Sequence, residues 1–235
     1  MNNVLHKSDL SEYFDPNPPR FILIGKAYGE KSFNNKLILS DNDTLYSIIT
    51  ILNNIGTIFI KEKKIDSAKE LLEEILLLCK TNFQEENQVF LEAMNNLGEI
   101  LLEQQLYEEA VKCYQKCLKI YNKLYFSKNQ QYYRYLFNLA EALRASKNLV
   151  ESKDLFEELL LDLKQEKTSI YIEEGLLFNN YALLLFELGQ YNESKKYFFK
   201  ALDFYSEYLP KNHPILGEIM DNLMNIAQQA GAADA

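Results

Sequence analysis

Two histidines, three cysteines and no long apolar run leave this 235-residue chain with little of what catalysis, disulfide scaffolding or membrane spanning requires. His6 lies near the amino terminus, and His213 is accounted for by a turn before Pro214, so neither points to acid–base chemistry. An odd number of cysteines argues against a disulfide framework and fits a reducing, cytoplasmic compartment. Cys113 and Cys117 stand four apart on one helix face, but no histidine or further cysteine accompanies them, and Cys117 occupies an apolar register. Lys7, Asp9 and His6 interrupt the first ten residues, so no secretory signal is read there. Leu71–Leu78 comes nearest to a membrane span and is broken by Glu73 and Glu74.

Positive charge is also in deficit. Lys and Arg number 25 against 34 Asp and Glu, giving a net charge of -9 and a pI near 4.9. That balance argues against nucleic acid and anionic membranes as partners. Tyr132-Tyr133-Arg134-Tyr135 is therefore read as packing and not as a base-stacking patch. Gly25 and Gly29 form no phosphate-cradling loop. The pairs Glu73-Glu74, Glu108-Glu109 and Glu157-Glu158 are adjacent in sequence and read as solvated faces. The expectation is a non-enzymatic protein with no metal, no cofactor, no small-molecule substrate, no nucleic acid and no membrane insertion.

What is present is repetition. Asn53-Asn54-Ile55-Gly56, Asn95-Asn96-Leu97-Gly98, Asn138-Leu139-Ala140 and Asn179-Asn180-Tyr181-Ala182 share one 42-residue register, and Asp221-Asn222-Leu223 falls in it again. A fixed period of this length means stacked supersecondary units. Each unit reads as two amphipathic helices. In the first, Leu52, Ile55, Gly56, Phe59 and Ile60 make one stripe, Lys61–Lys64 breaks it, and Asp66 is expected to cap a second stripe through Ala68, Leu71, Leu72, Ile75, Leu76 and Cys79. Gly56, Gly98, Ala140 and Ala182 on the first helices, and Ala68, Ala110, Ser152 and Ser194 on the second, are small where the two helices must approach. Phe59, Tyr114, Phe156 and Phe198 are expected to fill the space between units.

Hairpins of the form Gly189-Gln-Tyr191-Asn-Glu-Ser194 resemble tetratricopeptide repeats, and the 42-residue period together with Lys211-Asn-His213-Pro214 resembles the kinesin-light-chain type. The resemblance covers about residues 43–230 and implies an all-α right-handed α-solenoid that binds a protein or peptide in a concave groove. Four units are expected, at about 43–84, 85–126, 127–168 and 169–210. A polar capping helix over 213–230 follows, and then a disordered tail at 231–235. Residues 1–41 fall outside the register. Their short runs Phe21–Ile24 and Lys36–Leu39 suit either two strands of a hairpin or an amino-terminal cap.

Asn is a poor interior helix former, so the ladder Asn54, Asn96, Asn138, Asn180 and Asn222 needs a reason, as do Asn53, Asn95 and Asn179 beside it. Either the amides contact the backbone of an extended peptide, or they bond neighbouring helices and fix the stacking. In the family the first helices line the groove, which by resemblance favours peptide contact. Helical spacing around the ladder adds Thr50, Thr57 and Lys61; Glu92, Glu99 and Glu103; Arg134, Glu141 and Arg144; Leu183, Phe186 and Glu187, with Phe137 and Phe186 expected to serve as apolar anchors. These charges suggest a bipolar peptide, basic toward the second unit and acidic toward the third. The Lys/Asn arrangement of chaperone-docking members is missing, so no chaperone-tail binding is expected. The alternative is a structural subunit packed through its convex side and ends.

Overall fold

A computed structural model describes residues 42–83, 87–164 and 174–233, and every regular element among them is an α-helix. The expected hairpin or cap over residues 1–41 lies outside the described residues. The helices are α1 (Asn42–Lys61), α2 (Ile65–Asn82), α3 (Gln88–Glu103), α4 (Tyr107–Leu124), α5 (Gln130–Ala145), α6 (Leu149–Lys164), α7 (Glu174–Glu187), α8 (Tyr191–Tyr208) and α9 (Pro214–Ala233). They form two compact units, one ending at Leu124 and the other beginning at Tyr125. In the first, α1 pairs with α2 and α3 with α4, while α1 and α2 both pack on α3. In the second, α5 pairs with α6 and α7 with α8, α6 packs on α7, and α8 on α9.

Every hairpin turns in the same way. At the end of α1, the Lys63 N–H donates to the Ile60 carbonyl at 3.0 Å and the Lys64 N–H to the Phe59 carbonyl at 2.9 Å. This pair of bonds is a Schellman closure, and it needs one left-handed residue. That residue is Lys63, Gln105, Lys147 and Gly189 in turn, with φ of 59°, 61°, 67° and 72°, one per 42-residue period. Only the fourth is glycine, for which this φ is free of steric cost. Helix α2 therefore starts at Ile65 with Lys64 at the N-cap and no side-chain cap bond. The cap expected at Asp66 does not form, because the turn closes earlier; its carboxylate lies in the first helical turn, favourable to the helix dipole. Side-chain caps occur instead at the links between hairpins, from Asn87 to α3 and from Asn129 to α5.

The small residues sit where the two helices of a hairpin cross, as their register requires. A Cβ built on Gly98 would lie 2.6 Å from Tyr114 Cζ, and one on Gly56 would lie 3.2 Å from Leu72 Cδ2. In the second unit the pair changes from Gly/Ala to Ala/Ser: Ser152 donates its hydroxyl to the Ala140 carbonyl and Ser194 to the Ala182 carbonyl, each at 2.7 Å. Leu72, Tyr114, Phe156 and Phe198 fill the crossing and are fully buried. Burial on that scale contributes about 1.5–3 kcal/mol per side chain. Phe59 does not belong to this set; it is half-buried with the Lys64 ammonium 5.7 Å above its ring.

The terminal helices depart from the pattern. In α9, Met224 takes the register of Gly56, Gly98, Ala140 and Ala182, and both Met220 and Met224 are exposed. The final helix is thus polar at Gln228 and Gln229 but not along its whole outward side. No second helix follows among the described residues to cover it. Helix α1 is apolar enough by length and composition to cross a membrane, with a mean hydropathy of 1.2. Here it packs on α2 and α3 and buries Leu45, Ile49, Leu52, Asn53 and Gly56.

Candidate partner-binding face

In the first unit the asparagines and carboxylates of α1 and α3 form one network. Asn96 donates from Nδ2 to Asn53 Oδ1 at 3.2 Å and to Thr57 Oγ1 at 3.1 Å. Asn53 in turn donates to Glu92 Oε2 at 3.4 Å, and Gln88 donates to Glu92 Oε1 at 2.9 Å. Asn95, fully buried, donates to Glu99 Oε1 at 2.9 Å. The buried amide of Asn53 is satisfied across the helix interface, which removes the penalty of burying a polar group. Asn54 is exposed, and Thr57, Glu92, Asn96 and Glu99 are half-buried. The ladder therefore holds α1 to α3 in this unit, while the carboxylates of Glu92 and Glu99 reach the surface already ordered by neighbouring amides.

The second unit uses the same register differently. Asn180 is buried and donates to the Leu176 carbonyl one turn back at 3.0 Å, while Asn138, Asn179 and Asn222 are half-buried. Phe137 is only 4% exposed and stands edge-on to Phe156 at 5.9 Å, so it offers little surface as an anchor. Arg134 is exposed with its guanidinium 5.6 Å from the Tyr135 ring, and Glu141 is half-buried. Leu183 and Phe186 are partly buried against the α7–α8–α9 core. Tyr133 and Tyr135 are buried, as packing residues would be.

Ion pairs repeat with the hairpins as well. Lys63, at the left-handed turn position, meets Glu103 at 2.6 Å, and Lys147, at the same turn position of a hairpin in the second unit, meets Glu187 at 2.7 Å. Arg144 joins Glu187 at 2.5 Å. Each pair ties a turn to the end of the next first helix. Such exposed pairs contribute up to about 1 kcal/mol. Lys63, Lys147 and Gln88 were not singled out by the sequence, since their roles depend on the turn and on the neighbouring helix.

A second cluster was also missed. Lys128 bridges Glu158 at 2.8 Å and Asp162 at 3.1 Å, and the Tyr132 and Tyr133 hydroxyls donate to the same two carboxylates. Burial opposes the charge on Lys128, but the two carboxylates outweigh it and raise its pKa above the ordinary lysine value. Burial, reinforced by Glu158, pushes the Tyr132 phenol up to about 12. Burial also raises Tyr181, whose hydroxyl donates to Glu157 at 2.9 Å. These groups keep one charge state across the neutral range, so they pin α5 to α6 and α7 to α6 without exchanging protons. Among the described residues no group of three or more His, Cys, Asp or Glu could hold a metal.

Paired antiparallel helices, a fixed left-handed turn and small residues at each crossing define a helix-hairpin repeat protein. Tetratricopeptide-repeat family descriptions match residues 49–82, 89–160 and 177–215. The chain belongs to the tetratricopeptide-repeat family, and its fold is the all-α solenoid of the kinesin-light-chain kind. It is similar to a solved structure of nearly identical TPR-like repeats of kinesin-light-chain type from Podosopora anserina, at 17% identity, TM-score 0.63, covering 79% of this chain and 88% of that one. It is similar also to BtubC (BKLC) from P. vanneervenii, at 18% identity and TM-score 0.61, covering 83% of this chain and 74% of that one. No curated protein matches it in sequence. Tetratricopeptide repeats are in general protein–protein interaction modules.

Proposed function

We propose that this protein is a non-enzymatic scaffold that holds an extended segment of a partner protein against the shared face of its first helices. The observation that carries this reading is the row Glu92, Asn96, Glu99 on α3. These side chains sit at three- and four-residue spacing, are half-exposed, and are held in place by Gln88, Asn53, Thr57 and Asn95. Acceptors ordered before binding lose little entropy when a ligand arrives. Carboxylates at that spacing favour Lys or Arg in the segment bound by the first unit. Arg134, exposed on α5, favours an acidic residue in the segment bound by the second. An odd number of cysteines supports placing this activity in the reducing cytoplasm.

A pull-down from lysate with the parent protein and a Glu99→Lys/Arg134→Glu variant tests this. Loss of the partner with helicity unchanged supports the reading; retention of the partner refutes it. These charges are a cleaner probe than Asn96, whose removal would also loosen α1 from α3. One observation favours a second reading, in which the second helices dock into a larger assembly: Val150, Leu161, Phe199 and Tyr208 on α6 and α8 are exposed. Loss of the partner with Val150→Asp/Leu161→Asp, but not with the charge pair, would support it.

A further inference from the structure

Helix α9 keeps one side bare. In the four hairpins, the first helix meets its own second helix along the stripe that holds Gly56, Gly98, Ala140 or Ala182. In α9 the same register is Gly217, Met220, Met224 and Ala227, spaced by three and four residues and so aligned on one side. The equivalents of Met220 show what normally covers it. Leu52, Met94 and Leu136 are buried, and Phe178 stands 6.1 Å from the Tyr197 ring of α8. Met220 is 48% and Met224 54% exposed, Gly217 and Ala227 are exposed too, and a Cβ built on Gly217 meets nothing within 4 Å. Helix α9 packs on α8 with another side, through the buried Leu216, Ile219 and Ile226.

Two features of this stripe describe what fits it. The small residue of the crossing is replaced by Met224, whose side chain takes up room that Leu72, Tyr114, Phe156 or Phe198 fills from the second helix elsewhere. A helix covering α9 therefore has a small residue at that place. Charge narrows the choice further. Helix α9 carries Glu218 and Asp221 along one flank of the stripe and neither Lys nor Arg.

We propose that this stripe is the docking site of a helix from another protein, seated where the second helix of a fifth hairpin would lie. That helix has a small residue opposite Met224 and Lys or Arg beside Glu218 and Asp221. An amphipathic helix laid on an apolar strip is read through anchors at this three- and four-residue spacing, and unbranched methionines adapt to its shape. The two carboxylates fix its register and favour a basic flank over an acidic one. A second copy fits poorly. Antiparallel pairing of two α9 stripes over Met220 and Met224 brings both Asp221 carboxylates to one flank near the two-fold axis, with no base on either helix to offset them. The same carboxylates disfavour an anionic lipid surface. The site lies on α9 alone and does not depend on the contact proposed at Glu92, Asn96 and Glu99.

The test uses the full chain and a fluorescein-labelled peptide with the sequence of α8. In the peptide, Phe198→Ala supplies the small residue, and Glu193→Gln, Asp203→Gln and Glu207→Gln leave three lysines and no acid. Fluorescence anisotropy should show saturable one-to-one binding, weakened about tenfold or more by Met220→Asp/Met224→Asp in the chain. Both methionines are exposed, so the variant keeps its helicity, which is checked by circular dichroism. Its added negative charge would strengthen a general attraction for a basic peptide, so weakening reports the stripe itself. The same peptide with Phe198 retained should bind about fivefold more weakly, and Glu218→Lys/Asp221→Lys in the chain should cost about tenfold. Absence of binding, undiminished binding by either chain variant, or equal binding of the two peptides overturns the proposal. A dimer, or sedimentation with phosphatidylcholine vesicles, that disappears on Met220→Asp/Met224→Asp assigns the face to a second copy or to lipid and also overturns it.

Discussion

The hydroxyl of Ser152 donates to the carbonyl of Ala140 across 2.7 Å, joining the two helices of a hairpin at their closest approach. Ser194 does the same to Ala182 at the same separation of twelve residues. The hairpins of the first unit have Ala68 with Gly56 and Ala110 with Gly98 at these places and close the crossing without such a bond. There the first helix has one methyl group fewer and the second one hydroxyl fewer, and the room left by glycine takes the place of the hydrogen bond.

Ser152→Ala should cost about 1 kcal/mol in urea unfolding, the net value of one buried hydrogen bond, with no change in helicity. Ser194→Ala should cost the same. A variant as stable as the parent would show that the crossing relies on packing alone.

Gly98→Ala should destabilise by about 1–3 kcal/mol, since the added methyl meets the buried Tyr114 ring at 2.6 Å. Gly56→Ala should cost less. Its nearest neighbour is the end of the Leu72 side chain at 3.2 Å, which can give way. Thermal unfolding of the two variants side by side decides the order.

The turns offer a gain. Gln105→Gly should stabilise by about 1 kcal/mol, because φ of 61° costs an L-residue roughly that much and glycine little. Gly189→Ala should lose a similar amount from backbone strain alone, for nothing lies within 4 Å of the new methyl. Opposite shifts in melting temperature are the expected outcome.

Alkali should weaken the first unit. Burial pushes the thiols of Cys79 and Cys113 from 9.0 up to about 11. The folded chain then keeps protons that the unfolded chain releases above pH 9. Stability from this source is full below pH 9 and falls as the pH rises from 9 to 11. Cys79→Ala should therefore lose less stability than the parent over that window, and parallel pH profiles would contradict the assignment.

Asn96→Asp should cost about 1–3 kcal/mol, because it sets a carboxylate against the acceptors Asn53 Oδ1 and Thr57 Oγ1. Asn54→Ala, on the exposed side, should stay within about 0.5 kcal/mol of the parent. Faster amide exchange in α1 for the first variant only would confirm that the ladder ties α1 to α3.

The hairpins were legible because their determinants are local: apolar spacing sets each helix, and small residues recur where neighbours must approach. The ladder was legible only as a row. Asn53 and Asn54 are adjacent, and one helical step of about 100° decides that the first is buried and the second exposed. The partners of Asn53 lie 39 and 43 residues away, and that pairing needs the packing of α1 on α3. Phe137 reads like a groove anchor until Phe156 is seen beside it. The Lys128 cluster falls at a link between hairpins, outside the repeated register, so no periodic signal marks it.

Met224 has a consequence for extending the protein by duplication. A copied hairpin grafted after α9, in register with the others, would bring its small-residue crossing against a long thioether side chain. Replacing that one residue, Met224→Ala, would restore the small side chain that such a crossing needs.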